Sequence, residues 1–242
     1  MPGETIALIT GANKGLGRET ARQLGERGIT VLLGARDETR GRQAAEELAA
    51  DGIRAAFVHL DVTDPDQPAR AAAHIRHRHG HLDILINNAG INGHFHGTPS
   101  QARPHDLREV YDTNVFGVVA VTHAMLPLLR RSPAGRIVNL SSDMGSLTLL
   151  ADPTTRAAAL NSLAYQSSKT ALNALTLAYA HELRDTPIKV NSANPGFTAT
   201  DINGHRGHRT VHQGAAVVVH LATLGPDGPT GTSQDENGPV PW

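Results

Sequence analysis

Short apolar runs alternate along the chain with longer segments whose apolar residues repeat at helical spacing. Thr5–Thr10, Thr30–Leu33, Ala55–Leu60, Leu82–Ile86, Arg136–Leu140 and Ile188–Ser192 read as strands. Between and after them, Gly15–Arg27, Thr39–Ala50, Gln67–Arg78, Asp106–Leu129, Ser162–Leu183 and Gln213–Leu224 read as helices, with Pro127 near the end of the fourth. The strands are continuous apolar runs rather than alternating ones, so both of their faces are expected to be covered. Strand–helix repetition of this kind predicts right-handed βαβ crossovers and a parallel sheet. The pattern therefore predicts one doubly wound α/β domain over residues 1–242, with six or seven strands and helices on both faces. The Gly- and Pro-rich tail Gly225–Trp242 offers at most a weak or short edge strand near Thr230–Gln234.

Composition narrows the picture by exclusion. The chain has 242 residues, 39% hydrophobic and 19% charged, enough apolar material for a sizeable core. Its net charge of −1 gives no global basic field for nucleic acid, and three Tyr, four Phe and one Trp leave little for base stacking. With no cysteine, disulfides, thiolate nucleophiles and Cys-ligated metal sites are ruled out. The start of the chain lacks the basic segment of a signal peptide, and no uncharged apolar run approaches the roughly 18–20 residues of a membrane span. The expectation is a soluble, cytoplasmic protein with neither a nucleic-acid nor a membrane partner.

Fourteen histidines invite a metal hypothesis, chiefly His74, His77, His79 and His81, and His205, His208 and His212. No carboxylate stands at a recognised zinc-motif spacing, and Arg76 and Arg78 would oppose a cation, so no metal site is expected.

The densest chemistry lies in Thr10-Gly11-Ala12-Asn13-Lys14-Gly15-Leu16-Gly17, which follows the first strand and opens the first helix. Glycines permit close backbone approach to a pyrophosphate, and a helix N-terminus offers free N–H groups to the anion. Asp61-Val62 then closes the third strand, Asn87-Asn88-Ala89-Gly90 the fourth, and Ser141-Ser142 the fifth. Asn114 stands within a helix, Tyr165 and Lys169 share one helix face, and Asn194-Pro195-Gly196 closes the sixth strand, with Thr198 and Thr200 beyond. In this order the motifs resemble the short-chain dehydrogenase/reductase family over almost the whole chain, and Asn13-Lys14 looks most like its carbonyl-reductase branch.

The resemblance implies a Rossmann fold and a nicotinamide dinucleotide, with residues 1–114 mainly binding it and 115–242 carrying catalysis and the substrate site. The implied cofactor contacts are Gly11, Asn13, Lys14, Gly15, Leu16, Gly17, Asp61, Val62, Asn88, Gly90, Tyr165, Lys169, Pro195, Gly196, Thr198 and Thr200. Cofactor choice falls near the end of the second strand. The position where an NAD-selective relative carries Asp looks like Ala35, and Arg36 can pair with a 2′-phosphate. Lys14 can join it, with Arg40 a further candidate, while Asp37 and Glu38 read as helix-start residues. This favours NADP(H) over NAD(H).

The implied catalytic set is Asn114, Ser142, Tyr165 and Lys169. Tyr165 exchanges a proton with the substrate oxygen, and Lys169 is expected to lower the tyrosine pKa from about 10. Ser142, the second serine of its pair as in relatives, stabilises the developing oxyanion, and Asn114 anchors a water near Lys169. Ser142 and Tyr165 stand further apart than in compact members, through an insert within Ala151–Leu163 expected to form a short helix beside the substrate cleft. Ile91, Phe95, Met144, Leu147, Phe197 and the stretch Thr198–Arg209 are the expected walls. His94 and His96 stand near them, and no Arg or Lys is clearly aimed into the pocket. The expected partner is a neutral small-molecule carbonyl or alcohol, with oligomeric state open. The alternatives are an NAD-dependent alcohol dehydrogenase and a non-catalytic dinucleotide-binding regulator.

Overall fold

The computed structural model describes residues 4–94, 97–160 and 162–242. The strands are β1 (Ile6–Thr10), β2 (Thr30–Ala35), β3 (Ala55–His59), β4 (Ile84–Asn87), β5 (Arg136–Leu140), β6 (Lys189–Ala193), β7 (Ser233–Asp235) and β8 (Gly238–Pro239). They form one sheet in the order β3-β2-β1-β4-β5-β6-β7-β8, parallel throughout except for the terminal β7–β8 pair. The expected six or seven strands are thus eight. The extra one is a two-residue antiparallel turn-back, too short to leave a pattern in the sequence.

The helices are α1 (Gly15–Glu26), α2 (Glu38–Ala50), α3 (Gln67–His79), α4 (Pro104–Tyr111), α5 (Gly117–Leu129), α6 (Leu147–Ala151), α7 (Arg156–Ala159), α8 (Leu163–Glu182) and α9 (Val211–Ala222). Strand side chains alternate between two cores, as a pleated sheet requires. Ala7 and Ile9 of β1 pack with α1, α2 and α9 on one face. Ile6 and Leu8 pack with α3, α5 and the end of α8 on the other.

The single long helix expected over Asp106–Leu129 is divided. A π-helical turn, Asp112–Phe116, separates α4 from α5 and carries Asn114. One wider turn re-aims a side chain without ending the helix, a device common at functional sites. Pro104–Leu129 is also long and apolar enough, by length and composition, to cross a membrane, contrary to expectation. Its α5 part instead buries Val121, Met125, Leu128 and Leu129 against the sheet.

Reversal of strand order between β1 and β4 opens a crevice at the carboxyl ends of the strands, where ligands bind in open α/β sheets.

Candidate active site

That crevice is a cleft of about 1280 Å³ lined from Ala35, Arg36 and Asp61 at one end to Ser142, Tyr165 and Phe197 at the other. This is larger than the ~300–1,000 Å³ of ordinary small-ligand sites, as an extended dinucleotide together with a substrate requires. Gly11, Asn13, Lys14, Gly15, Leu16, Gly17, Val62, Asn88, Gly90, Lys169, Pro195, Gly196, Thr198 and Thr200 line it as well.

The glycine loop fits a pyrophosphate. No side chain caps the α1 N-terminus and no acidic residue stands in its first turn, so its N–H groups face the cleft without a competing carboxylate. Gly17 packs so closely that a Cβ there would lie 2.5 Å from Asn88 Nδ2 and 2.7 Å from the Gly11 carbonyl oxygen. Asn88 Nδ2 in turn donates to the carbonyls of Thr10 (2.7 Å) and Gly11 (3.2 Å), fixing the loop to the end of β4. Asp61 accepts from the backbone N–H (2.9 Å) and hydroxyl (2.7 Å) of Thr63, which shapes the wall beyond β3.

Arg36 lines the cleft just past β2 and has no carboxylate partner among the described residues. Its two acidic neighbours are engaged elsewhere. Asp37 caps α2 by accepting from the Arg40 N–H at 3.0 Å, and Glu38 pairs with Arg42 at 2.7 Å. Arg40 does not reach the cleft; its side chain lies 3.5 Å from Asp37 on the exposed start of α2. Lys14 pairs with Asp201, tying the glycine loop to the loop after β6.

At the other end, the structure places Ser142 on the cleft and turns Ser141 inward, where its hydroxyl donates to Asn173 Oδ1 at 2.6 Å. The Ser142 hydroxyl donates to Asp143 Oδ1 at 2.9 Å and accepts from the Met144 N–H at 3.2 Å. Asp143, which the motifs do not single out, therefore orients the serine.

Lys169 is buried, donates to the Leu140 carbonyl at 2.6 Å, and places its Nζ 5.4 Å from the centroid of the Tyr165 ring. Burial pushes the Lys169 ammonium down to about 8. Burial also pushes the Tyr165 phenol up to about 12; the Ser142 hydroxyl opposes the rise and the Asp143 carboxylate adds to it. The expected lowering of Tyr165 is not what this pocket produces, because desolvation of the phenolate is the largest effect and acts in the opposite direction.

Asn114 Nδ2 donates to the Ile91 carbonyl at 2.9 Å and to Ser168 Oγ at 3.0 Å, while its Oδ1 accepts from the Ile91 N–H at 2.9 Å. Its side chain holds the segment after β4 against α8.

Behind the cleft runs a polar chain that the strand pattern conceals. Asn87 donates to Asn139 (2.8 Å) and Asn139 to Thr176 (2.9 Å), and Ser141 and Ser192 both donate to Asn173. These bonds lock β4, β5 and β6 to α8, and so hold Tyr165 against Ser142. Gly145 completes the contact: a Cβ there would lie 2.8–2.9 Å from Lys169 backbone and Cβ atoms. Gly145→Ala is expected to push the serine loop off α8, costing about 1–3 kcal/mol and most of the turnover. Thermal melting and a rate assay on the same preparation check this.

The insert forms the short helix α7 beside the cleft, as expected, and α6 precedes it. Leu147 is 62% exposed and off the cleft, contrary to expectation, because it opens α6 on its outer side. Ile91, Met144 and Phe197 do line the cleft, with Leu160 and Ile202. Phe95 and His96 lie outside the described residues. His94 reaches the cleft rim and faces Glu109 at 3.5 Å. Two arginines that the motifs do not single out, Arg156 and Arg206, also line the cleft. Among the described residues, no three His, Asp or Glu side chains converge as a metal site.

The family profile for short chain dehydrogenases matches residues 5–210. The chain belongs to the short-chain dehydrogenase family. It is 35% identical to short-chain dehydrogenase/reductase 1 of Saponaria officinalis, over 98% of this chain and 95% of that one. It is 33% identical to salutaridine reductase of Papaver bracteatum, over 95% and 93%. The structure superposes on an NADPH-bound carbonyl reductase from chicken fatty liver with a TM-score of 0.87 and 28% identity, over 99% of this chain and 100% of that one. The family's activity makes this chain an oxidoreductase that uses a nicotinamide dinucleotide.

Proposed function

We propose that this short-chain dehydrogenase is an NADPH-dependent reductase of a small-molecule ketone or aldehyde. The observation that carries the reading is Arg36, a guanidinium on the cleft wall without a carboxylate partner, beside Ala35 and with Asp37 and Glu38 turned to α2. A 2′-phosphate matches such a donor, whereas a 2′-hydroxyl needs an acceptor at this place. The NADPH carried by the similar carbonyl reductase supports the same choice.

When bound, the nicotinamide supplies the hydride. The chain's own residues handle the oxygen. Tyr165, held protonated by burial, donates its phenolic proton to the carbonyl oxygen as charge develops there. As substrate binds, the Ser142 hydroxyl turns from Asp143 to offer that oxygen a hydrogen bond, and buried Lys169 contributes positive charge beneath the tyrosine. The apolar walls Ile91, Met144 and Phe197 exclude water around the reacting carbon.

Titration of nicotinamide fluorescence with NADPH and NADH in parallel tests the cofactor choice. NADPH is expected to bind at least about tenfold more tightly, and Arg36→Asp to remove that preference. An unaltered NADPH/NADH ratio in the variant would move the 2′-phosphate site elsewhere. NADH-favoured binding by the unmodified protein would indicate an NAD-dependent alcohol dehydrogenase.

A further inference from the structure

The insert between Ser142 and Tyr165 places a cation where the substrate must enter. The Arg156 guanidinium carbon lies 3.8 Å from the centroid of the Phe197 ring, a stacked arrangement that fixes its plane while leaving its N–H edges free. Arg156 lines the cleft and forms no ion pair with any described carboxylate.

Its short helix is held from both sides. Thr155 caps α7 by accepting from the Ala158 N–H at 3.2 Å, and its hydroxyl donates to the Leu149 carbonyl of α6 at 2.6 Å. Gln166, next in sequence to Tyr165, donates its amide hydrogens to the carbonyls of Ala157 and Leu160, both at 2.9 Å. Arg156 is thereby tied to the catalytic helix rather than carried on a free loop.

The nearby carboxylates are already engaged. Asp143 accepts from Ser142 and Met144, Asp201 lies between Lys14 and His205, and Glu109 faces His94. Asp112, without an ion pair, belongs to the π-turn that Asn114 binds to the segment after β4. The ends of β4 and β6 are two strand spacings apart, about 10 Å. The Phe197 ring on which Arg156 stacks also meets the His208 ring at 6.0 Å, and the cleft lining includes apolar Met144, Leu160 and Ile202. Arg206, whose Nε donates to the Asn203 carbonyl at 3.0 Å, adds a second guanidinium to the lining.

We infer that Arg156 is a specificity-determining residue, and that the preferred substrate is an apolar carbonyl compound bearing a carboxylate away from its reacting carbonyl. This rests on the reading of the cleft as a carbonyl-reductase site. A carboxylate pairs with the free edge of a stacked guanidinium in bidentate fashion, and the pre-set plane reduces the ordering cost.

The test uses para-acetylbenzoate, its methyl ester, and longer-chain homologues of each, titrated calorimetrically into the NADPH-loaded protein with turnover measured alongside. The acid of at least one pair is expected to bind about tenfold or more tightly than its ester. Arg156→Ala should erase the difference by lowering acid affinity about tenfold more than ester affinity, while Arg156→Lys, which keeps charge but not the planar stack, should restore part of it. Acid and ester bound alike, neither bound, a preference that survives Arg156→Ala, or equal losses for both would each overturn the assignment. Acid-selective binding without reduction would leave the role of Arg156 standing and count against the reductase reading instead.

Discussion

Tyr165→Phe is expected to lower carbonyl reduction by about 10³-fold while leaving NADPH affinity within about threefold. The substitution keeps the ring that packs over Lys169 and removes only the hydroxyl. A phenol pushed up to about 12 is fully protonated at neutral pH, so it acts as an acid without prior ionisation. Ser142 is an aliphatic alcohol, which supports the oxygen by hydrogen bonding without parting with its proton, and the Lys169 ammonium lies beneath the ring, donating to the Leu140 carbonyl. Turnover with an aryl ketone, together with fluorescence titration of NADPH, separates the two effects. Retention of more than about a tenth of the activity would remove Tyr165 from the acid role.

Lys169→Met is expected to abolish turnover and to stabilise the fold at neutral pH by about 2 kcal/mol. The lysine is 4% exposed and has one protein acceptor, the Leu140 carbonyl, so burial of its charge is only partly compensated. Its folded pKa of about 8 lies below the ordinary 10.5, so between those values the unfolded chain binds more protons than the folded one. The stability of the unmodified protein should therefore rise with pH across that window, and the variant should lack this rise. Chemical denaturation of both proteins at pH values on either side of the window measures it. A variant less stable than the parent at pH 7 would show that the lysine is well compensated where it stands.

Most of the sheet was legible because burial on both faces leaves uninterrupted apolar runs, such as Ile6–Thr10 and Arg136–Leu140. The two strands after β6 were at most faintly so. β7 is ordered by backbone pairing, with the Ser192 N–H donating to the Thr232 carbonyl at 2.9 Å, and such pairing leaves no side-chain pattern. The π-turn at Asn114 was equally silent, since one wider turn barely disturbs helical periodicity.

At the site, residues on motifs arrived where the motifs imply: the glycine loop, Asn88, Ser142, Tyr165 and Lys169 share one cleft. What the sequence concealed were relations between segments distant along the chain. Arg40 was a further candidate for the 2′-phosphate, but α2 holds it on Asp37. Asn139, Asn173 and Ser192, which no motif singles out, join the sheet to α8. Arg156 belongs to a four-residue helix whose position depends on Gln166, so its stacking on Phe197 could not be read from spacing. The tyrosine pKa was misjudged in sign because sequence reveals a neighbouring charge but not the depth of the pocket around it.

Reduction of a carbonyl substrate with NADPH deuterated at the transferring position, followed by mass and NMR analysis of the alcohol, tests the central claim most directly. The account predicts one deuteron at the carbinol carbon for each NADPH consumed, with both signals lost together in Tyr165→Phe. NADPH consumed without label at that carbon, or labelling undiminished in Tyr165→Phe, would contradict it.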